Sequence, residues 1–198
     1  MMREVRQIPC GGTMTPNQDL VAAGYIALKG TAKLASMGEE ELRKRFTASF
    51  VRRCQMVYET RGLKSAPGIS AFAEAGAASW CAAGEGGVMT ALWDYFEAFS
   101  LGFEMELRSL PILQETVEVC EVFDVNPYRL QSEGCILMTA VNGGALVKKL
   151  QQQGIPAVVI GRTTKNIGRK IYNGEIQTFL DKPTSEELYK IQLTGGTL

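Results

Sequence analysis

Residues 84–99 read Gly-Glu-Gly-Gly-Val-Met-Thr-Ala-Leu-Trp-Asp-Tyr-Phe-Glu-Ala-Phe, and this stretch decides the fold. Val88, Leu92, Tyr95, Phe96 and Phe99 recur at helical spacing, so an amphipathic helix is expected from Val88 to Phe99, directly after the glycines. Glycines before a helix let backbone N–H groups converge where the dipole is positive and four donors lack partners, which suits a phosphate or carboxylate. A purely steric reason for the glycines stays equally open. Glu85, inside the turn, opposes an anion unless its side chain points away or neutralises a bound cation. No Gly-Lys-Ser/Thr follows, and Gly84, Gly86 and Gly87 lack the spacing of a dinucleotide fingerprint.

Outward from this turn, Ile69 to Gly76 reads as a short helix, and Phe103, Met105 and Leu107 alternate as one face of a strand. Glu104 and Glu106 then share the wet face. Pro111 is expected to open a helix with Val117, Cys120 and Val122 on its apolar side, stopped by Asn126-Pro127. Gly134 to Val141 reads as a buried strand, Ala145 to Gln153 as a helix closed by Gly154, and Pro156 to Ile160 as another strand. Asn173-Gly174 predicts a two-residue type I′ hairpin within Arg169 to Phe179. Ser185 to Ile191 reads as a closing helix capped by Thr184.

Toward the amino terminus, Leu20 to Ala27 reads as a buried strand and Gly30 to Ala35 as a short helix. Leu42, Phe46 and Phe50 continue a helical stripe, with Thr47 a candidate cap; the arginines beside it read as a solvated face. The rhythm is not strictly strand–helix–strand, which predicts an α+β domain with a mixed sheet flanked by helices. Residues 1–18 read as an extended lead-in, 19–192 as the domain and 193–198 as a tail.

The 198 residues, 45% hydrophobic and 21% charged, are ample for one core. Lys+Arg and Asp+Glu number 21 each, so no global field draws the chain to nucleic acid or an anionic membrane. There is no histidine, which excludes Ser-His-Asp and Cys-His nucleophilic arrangements and imidazole metal ligation. Cys10, Cys54, Cys81, Cys120 and Cys135 form no Cys-x-x-Cys pair and read as reduced, mostly buried thiols of a cytoplasmic protein. No apolar run has the length of a membrane span.

Gly84-Glu85-Gly86-Gly87-Val88 with Ala91-Leu92-Trp93 resembles the glycine-rich turn of the aminoimidazole-ribonucleotide-synthetase (AIR synthase, PurM) superfamily, carboxy-terminal domain. The likeness continues through Pro111-Ile112, Gln114 to Cys120, Asn126-Pro127, Leu130, Ser132 and Gly134, and Gly154-Ile155-Pro156 with Val159-Ile160-Gly161. It covers about Asp19 to Ile191 and is closest to hydrogenase-maturation members. The resemblance implies ligand or phosphate binding at Gly84, Glu85, Gly86, Gly87, Ser132 and Gly134. It also implies departures. Ala82 and Gly84 replace the family's usual Asp and Thr before the glycine pair, and Cys81 stands where a relative often has histidine.

The family's amino-terminal half, which supplies acidic metal ligands and much of the ATP site, has no counterpart here, and a carboxy-terminal cysteine is absent. The expectation is therefore a half that binds a small phosphorylated ligand without autonomous ATP-dependent catalysis, with no catalytic residue, metal or cofactor of its own. ATP and magnesium enter only if a partner supplies the missing domain. The alternatives are a substrate-binding subunit of a split ATP-dependent enzyme and a homodimeric structural module.

Overall fold

Leu20, Val21, Ala22 and Ala23 are all fully buried, which requires a strand covered on both faces. The computed structural model describes residues 10–63 and 69–183. In chain order its elements are β1 (Cys10–Gly12), β2 (Asp19–Ala23), α1 (Leu28–Met37), α2 (Glu39–Arg43), α3 (Ala48–Gln55), α4 (Val57–Arg61), α5 (Ile69–Ala75), β3 (Ser79–Ala82) and α6 (Gly87–Phe99). There follow β4 (Gly102–Glu106), α7 (Gln114–Val122), β5 (Ile136–Ala140), α8 (Gly143–Gln152), β6 (Ala157–Thr164), β7 (Arg169–Asn173) and β8 (Ile176–Phe179). The strands form one mixed sheet in the order β1-β3-β5-β2-β6-β4-β7-β8. Every neighbouring pair is antiparallel except β4–β7.

Alternation along the strands builds two cores. On the first face Leu20, Ala22, Leu137, Phe103 and Met105 meet Leu34 of α1, Cys54 of α3, Val119 of α7 and Leu92, Tyr95 and Phe96 of α6. The hydroxyl of buried Tyr95 lies 2.5 Å from Ser79 Oγ, itself 2.6 Å from Thr139 Oγ1, so these buried polar groups satisfy one another. On the second face Val21, Ala23, Ile136 and Met138 pack under Phe72 of α5 and Leu146 and Leu150 of α8. That cover reaches the start of β6. Farther along, Glu104, Glu106, Lys170, Tyr172, Gln177 and Phe179 line the same face and are half-buried or exposed.

Several local expectations are met at the level of mechanism. Thr47 caps α3 by accepting from Phe50 N at 3.4 Å, and Asn142 caps α8 by accepting from Ala145 N at 2.9 Å. Others are corrected. The long helical stripe after Glu39 is divided into α2, α3 and α4. Pro111 does not open a helix: α7 starts at Gln114, and Val117 faces out at 44% exposure while Thr116, Val119 and Cys120 are buried. Ser79–Ala82, to which no strand pattern pointed, is an interior strand paired on both sides, with β1 and β5.

The hairpin forms, but its loop is Gly174-Glu175, because Asn173 still pairs with Ile176. Positive φ is confined to Gly174, the first loop position, which is the II′ pattern rather than I′. Part of the lead-in is a sheet edge, since Cys10–Gly12 pairs with β3. In that register Cys10 stands opposite Cys81, and the two are joined in a disulfide, contrary to the expectation of reduced thiols. Cys54, Cys120 and Cys135 are free and buried. The expected helix from Ser185 and the tail lie outside the described residues. Among the described residues no helix is long and apolar enough to cross a membrane.

Candidate functional site

The turn between β3 and α6 is held by its backbone. Gly87 N donates to Gly84 O at 3.2 Å, and Gly86 and Gly87 take φ of 77° and 72°, the left-handed region that glycine enters without penalty. A Cβ on Gly87 would lie 2.5 Å from Tyr128 O and 2.7 Å from Arg129 C, so this glycine also lets the 127–129 turn close over the helix. Gly84 differs. A Cβ there would meet nothing within 4 Å, so one side of the turn is open. Glu85 points outward and is exposed.

The structure brings Ser132 to this turn, whereas Gly134 lies against Leu63 and Gly24. Ser132 is fully buried, and its N–H donates to Gly84 O at 3.0 Å. Its Oγ accepts from Ala27 N at 2.9 Å and donates to Leu130 O at 2.8 Å. Ala27 is the N-cap of α1, with φ of 62°. One serine thus joins the amino-terminal turns of α1 and α6, and neither helix has a side-chain cap. Its hydroxyl is committed to the protein by both bonds. Replacing Ser132 with alanine leaves the Ala27 N–H buried without its acceptor; the expected cost is about 1–3 kcal/mol, read from the denaturant midpoint.

Several polar residues at this place were not legible in the sequence. Lys29, in the first turn of α1, donates to Glu133, and its ammonium lies 5.7 Å from the centroid of the Tyr58 ring. Lys33 donates to Gln131 Oε1 at 2.6 Å, and Gln131 Nε2 to Glu133 Oε1 at 2.7 Å. The Lys29 pKa is held above the ordinary lysine range, first by the hydrogen bond to Glu133. Burial opposes this, and the charges of Glu133, Tyr58 and Glu85 reinforce it. Lys29 and Glu133 are 104 positions apart, and only the loop 131–134 unites them. Two surface concavities, of about 380 and 450 Å³, lie elsewhere: one on the sheet beside Glu104 and Arg162, one between α2 and α3. Among the described residues no cluster of Cys, Asp and Glu could hold a metal.

Neither a family profile nor a curated protein matches this chain. Solved structures do. The hydrogenase maturation protein HypE of E. coli superposes with a TM-score of 0.63 at 20% identity, over 88% of this chain and 52% of its own. This is the AIR-synthase (PurM)-like fold. Thiamine-monophosphate kinase from Stenotrophomonas maltophilia shares it, with a TM-score of 0.60 at 15% identity over 83% of this chain and 53% of its own. So does HypE in a HypE–HypF complex, with a TM-score of 0.60 at 14% identity over 86% and 54%. The chain therefore spans about half the length of these AIR-synthase-like structures.

Proposed function

We propose that this chain is the ligand-binding half of an AIR-synthase-like protein, taking a small phosphorylated ligand at the turn before α6 and performing no ATP-dependent catalysis alone. The observation that carries this is the joint at Ser132, which ties together two helix amino termini without side-chain caps, one of them carrying Lys29 in its first turn. Two positive dipole ends and one cation favour a dianionic group over a neutral one. Glu133 occupies Lys29 in the free protein, so a phosphate competes with that carboxylate. One fold neighbour, thiamine-monophosphate kinase, carries a phosphorylated substrate in its name. ATP and magnesium belong to the other half of the fold, wherever that half is encoded, and this chain's role toward it is to hold the group acted upon.

Gly84→Val is the decisive variant, because the site of its side chain is empty and its backbone conformation is an ordinary one. Wild-type protein is expected to be stabilised in a thermal-shift screen by inorganic phosphate or a phosphorylated metabolite, by nearly 3 kcal/mol at about a hundred times the dissociation constant. Gly84→Val should melt like wild type and lose that shift. An undiminished shift in the variant removes the ligand from this turn. Stabilisation of wild type by magnesium-ATP alone overturns the reading of a half without its own nucleotide site.

A further inference from the structure

A cross-strand cystine fastens one end of the sheet. β1 stands last in the strand order, with Cys10 opposite Cys81, Gly11 opposite Trp80 and Gly12 opposite Ser79. The disulfide between Cys10 and Cys81 links positions 71 apart. Its two partners differ: Cys10 is exposed, whereas Cys81 is fully buried in the first core. The other residues of β1 are glycines, which bring no side chain to bury and lose the most backbone freedom on joining a strand. Gly11 lies flat on the Trp80 indole, where a Cβ would come within 2.5 Å of Cζ2, and Thr13 N donates to Ala78 O at 2.9 Å. β3 has other anchors. Its four residues pair with β5 on the far side, and the Ser79 hydroxyl bonds to those of Tyr95 and Thr139. The first core already holds Cys54, Cys120 and Cys135 as buried free thiols, so a protonated Cys81 thiol suits it equally.

We propose that the Cys10–Cys81 cystine is a reversible redox latch, which keeps β1 on the sheet when oxidised and releases it from a still-folded domain when reduced. A switch needs two folded states that differ by one local event, and an exposed cystine is within reach of thiol exchange. The reductant is a dithiol. Its first thiolate attacks Cys10 Sγ, the S–S bond breaks, and Cys81 leaves as a thiolate. Burial disfavours that charge, so Cys81 takes up a proton. The second thiol of the reductant then attacks the mixed disulfide, closing its own ring and freeing the Cys10 thiol. Two electrons and two protons pass from the dithiol to the cystine, and the oxidised dithiol drives the exchange in reverse. Release of β1 uncovers the outer edge of β3, whose backbone N–H and C=O groups lose their partners to water. β3 ends at Ala82, two residues before Gly84, so the latch acts on the strand that leads into the turn before α6. Neither the exchange nor its test calls on a ligand at that turn.

The full chain, held without denaturant in mixtures of reduced and oxidised dithiothreitol, tests the latch. Alkylation after denaturation, read by mass, should count three thiols in the oxidised protein and all five in the reduced one. The two forms should interconvert as the mixture is changed. Brief alkylation of the reduced protein before denaturation should label Cys10 first, because it is the exposed cysteine. Hydrogen exchange should become roughly tenfold faster or more at residues 10–13 and 78–82 on reduction, while the rest of the domain keeps its protection. Cys10→Ser should exchange like reduced wild type in either mixture. Five thiols after oxidation overturn the proposal, as does a bond that yields only in denaturant. So does a reduced protein without a cooperative melting transition, which makes the bond a structural brace, or one whose exchange at 10–13 and 78–82 matches the oxidised form.

Discussion

Gly87→Ala is expected to destabilise the protein by about 3 kcal/mol, a fall of roughly 10 °C in melting temperature for a domain of this size. Two costs add. The residue sits at φ of 72°, which an L side chain adopts only with strain, and its new methyl would lie 2.5 Å from Tyr128 O and 2.8 Å from Arg129 Cα. Those neighbours are backbone atoms of a turn braced by Asn126 Oδ1 accepting from Tyr128 N at 3.0 Å, so they cannot yield as a flexible side chain does. Gly84→Ala, three residues away, meets empty space at an ordinary φ and should melt within about 2 °C of wild type. The pair separates steric glycines from permissive ones within one turn. Equal melting temperatures for the two variants would contradict the closure of the 127–129 turn over α6.

Stability should also fall steeply in alkali. Burial raises the Cys135 thiol from 9.0 to about 12 and the Tyr95 phenol from 10.0 to about 12, the latter partly offset by its hydrogen bonds to Ser79 and Thr139. Burial, with the charge of Glu115 second, raises Cys54 from 9.0 to about 11. Each of these acids is held protonated in the folded state and released to ionise in the unfolded one. Their contribution is therefore complete below about pH 9 and disappears as pH rises toward about 12. At about 1.4 kcal/mol per pKa unit, Cys135 accounts for roughly 4 kcal/mol of the loss and Tyr95 for roughly 3. Urea midpoints measured across this range should drop continuously. Cys135→Ala should flatten the drop even though its stability near neutrality is lower. A variant curve parallel to wild type would show that Cys135 ionises as easily folded as unfolded.

The turn before α6 was legible because glycines and an amphipathic stripe are local signals, and the chemistry of both is set within a few residues. The nearness of Ser132 to that turn followed from resemblance, and its physical form is the Ala27–Ser132–Gly84 hydrogen bonds, while Gly134 lies apart from the turn against Leu63 and Gly24. Lys29 and Glu133 could not be paired in advance, since nothing near either residue announces a partner 104 positions away. The disulfide between Cys10 and Cys81 escaped for a related reason. The partners are 71 residues apart, and only the pairing of β1 with β3 makes them opposite neighbours.

By itself the sequence determined the class of fold, the helices with clear stripes and caps, the hairpin near Gly174, and the exclusion of histidine-dependent chemistry. These depend on composition, on periods of two and about 3.6 residues, and on side chains that bond within their own turn. The tertiary structure alone decided the strand order, the partners of Lys29 and Cys81, and the interior placement of β3. Each of these is a contact between segments distant in sequence, and such contacts are fixed by which apolar faces bury one another, a property of the whole sheet and its helices rather than of any one stretch.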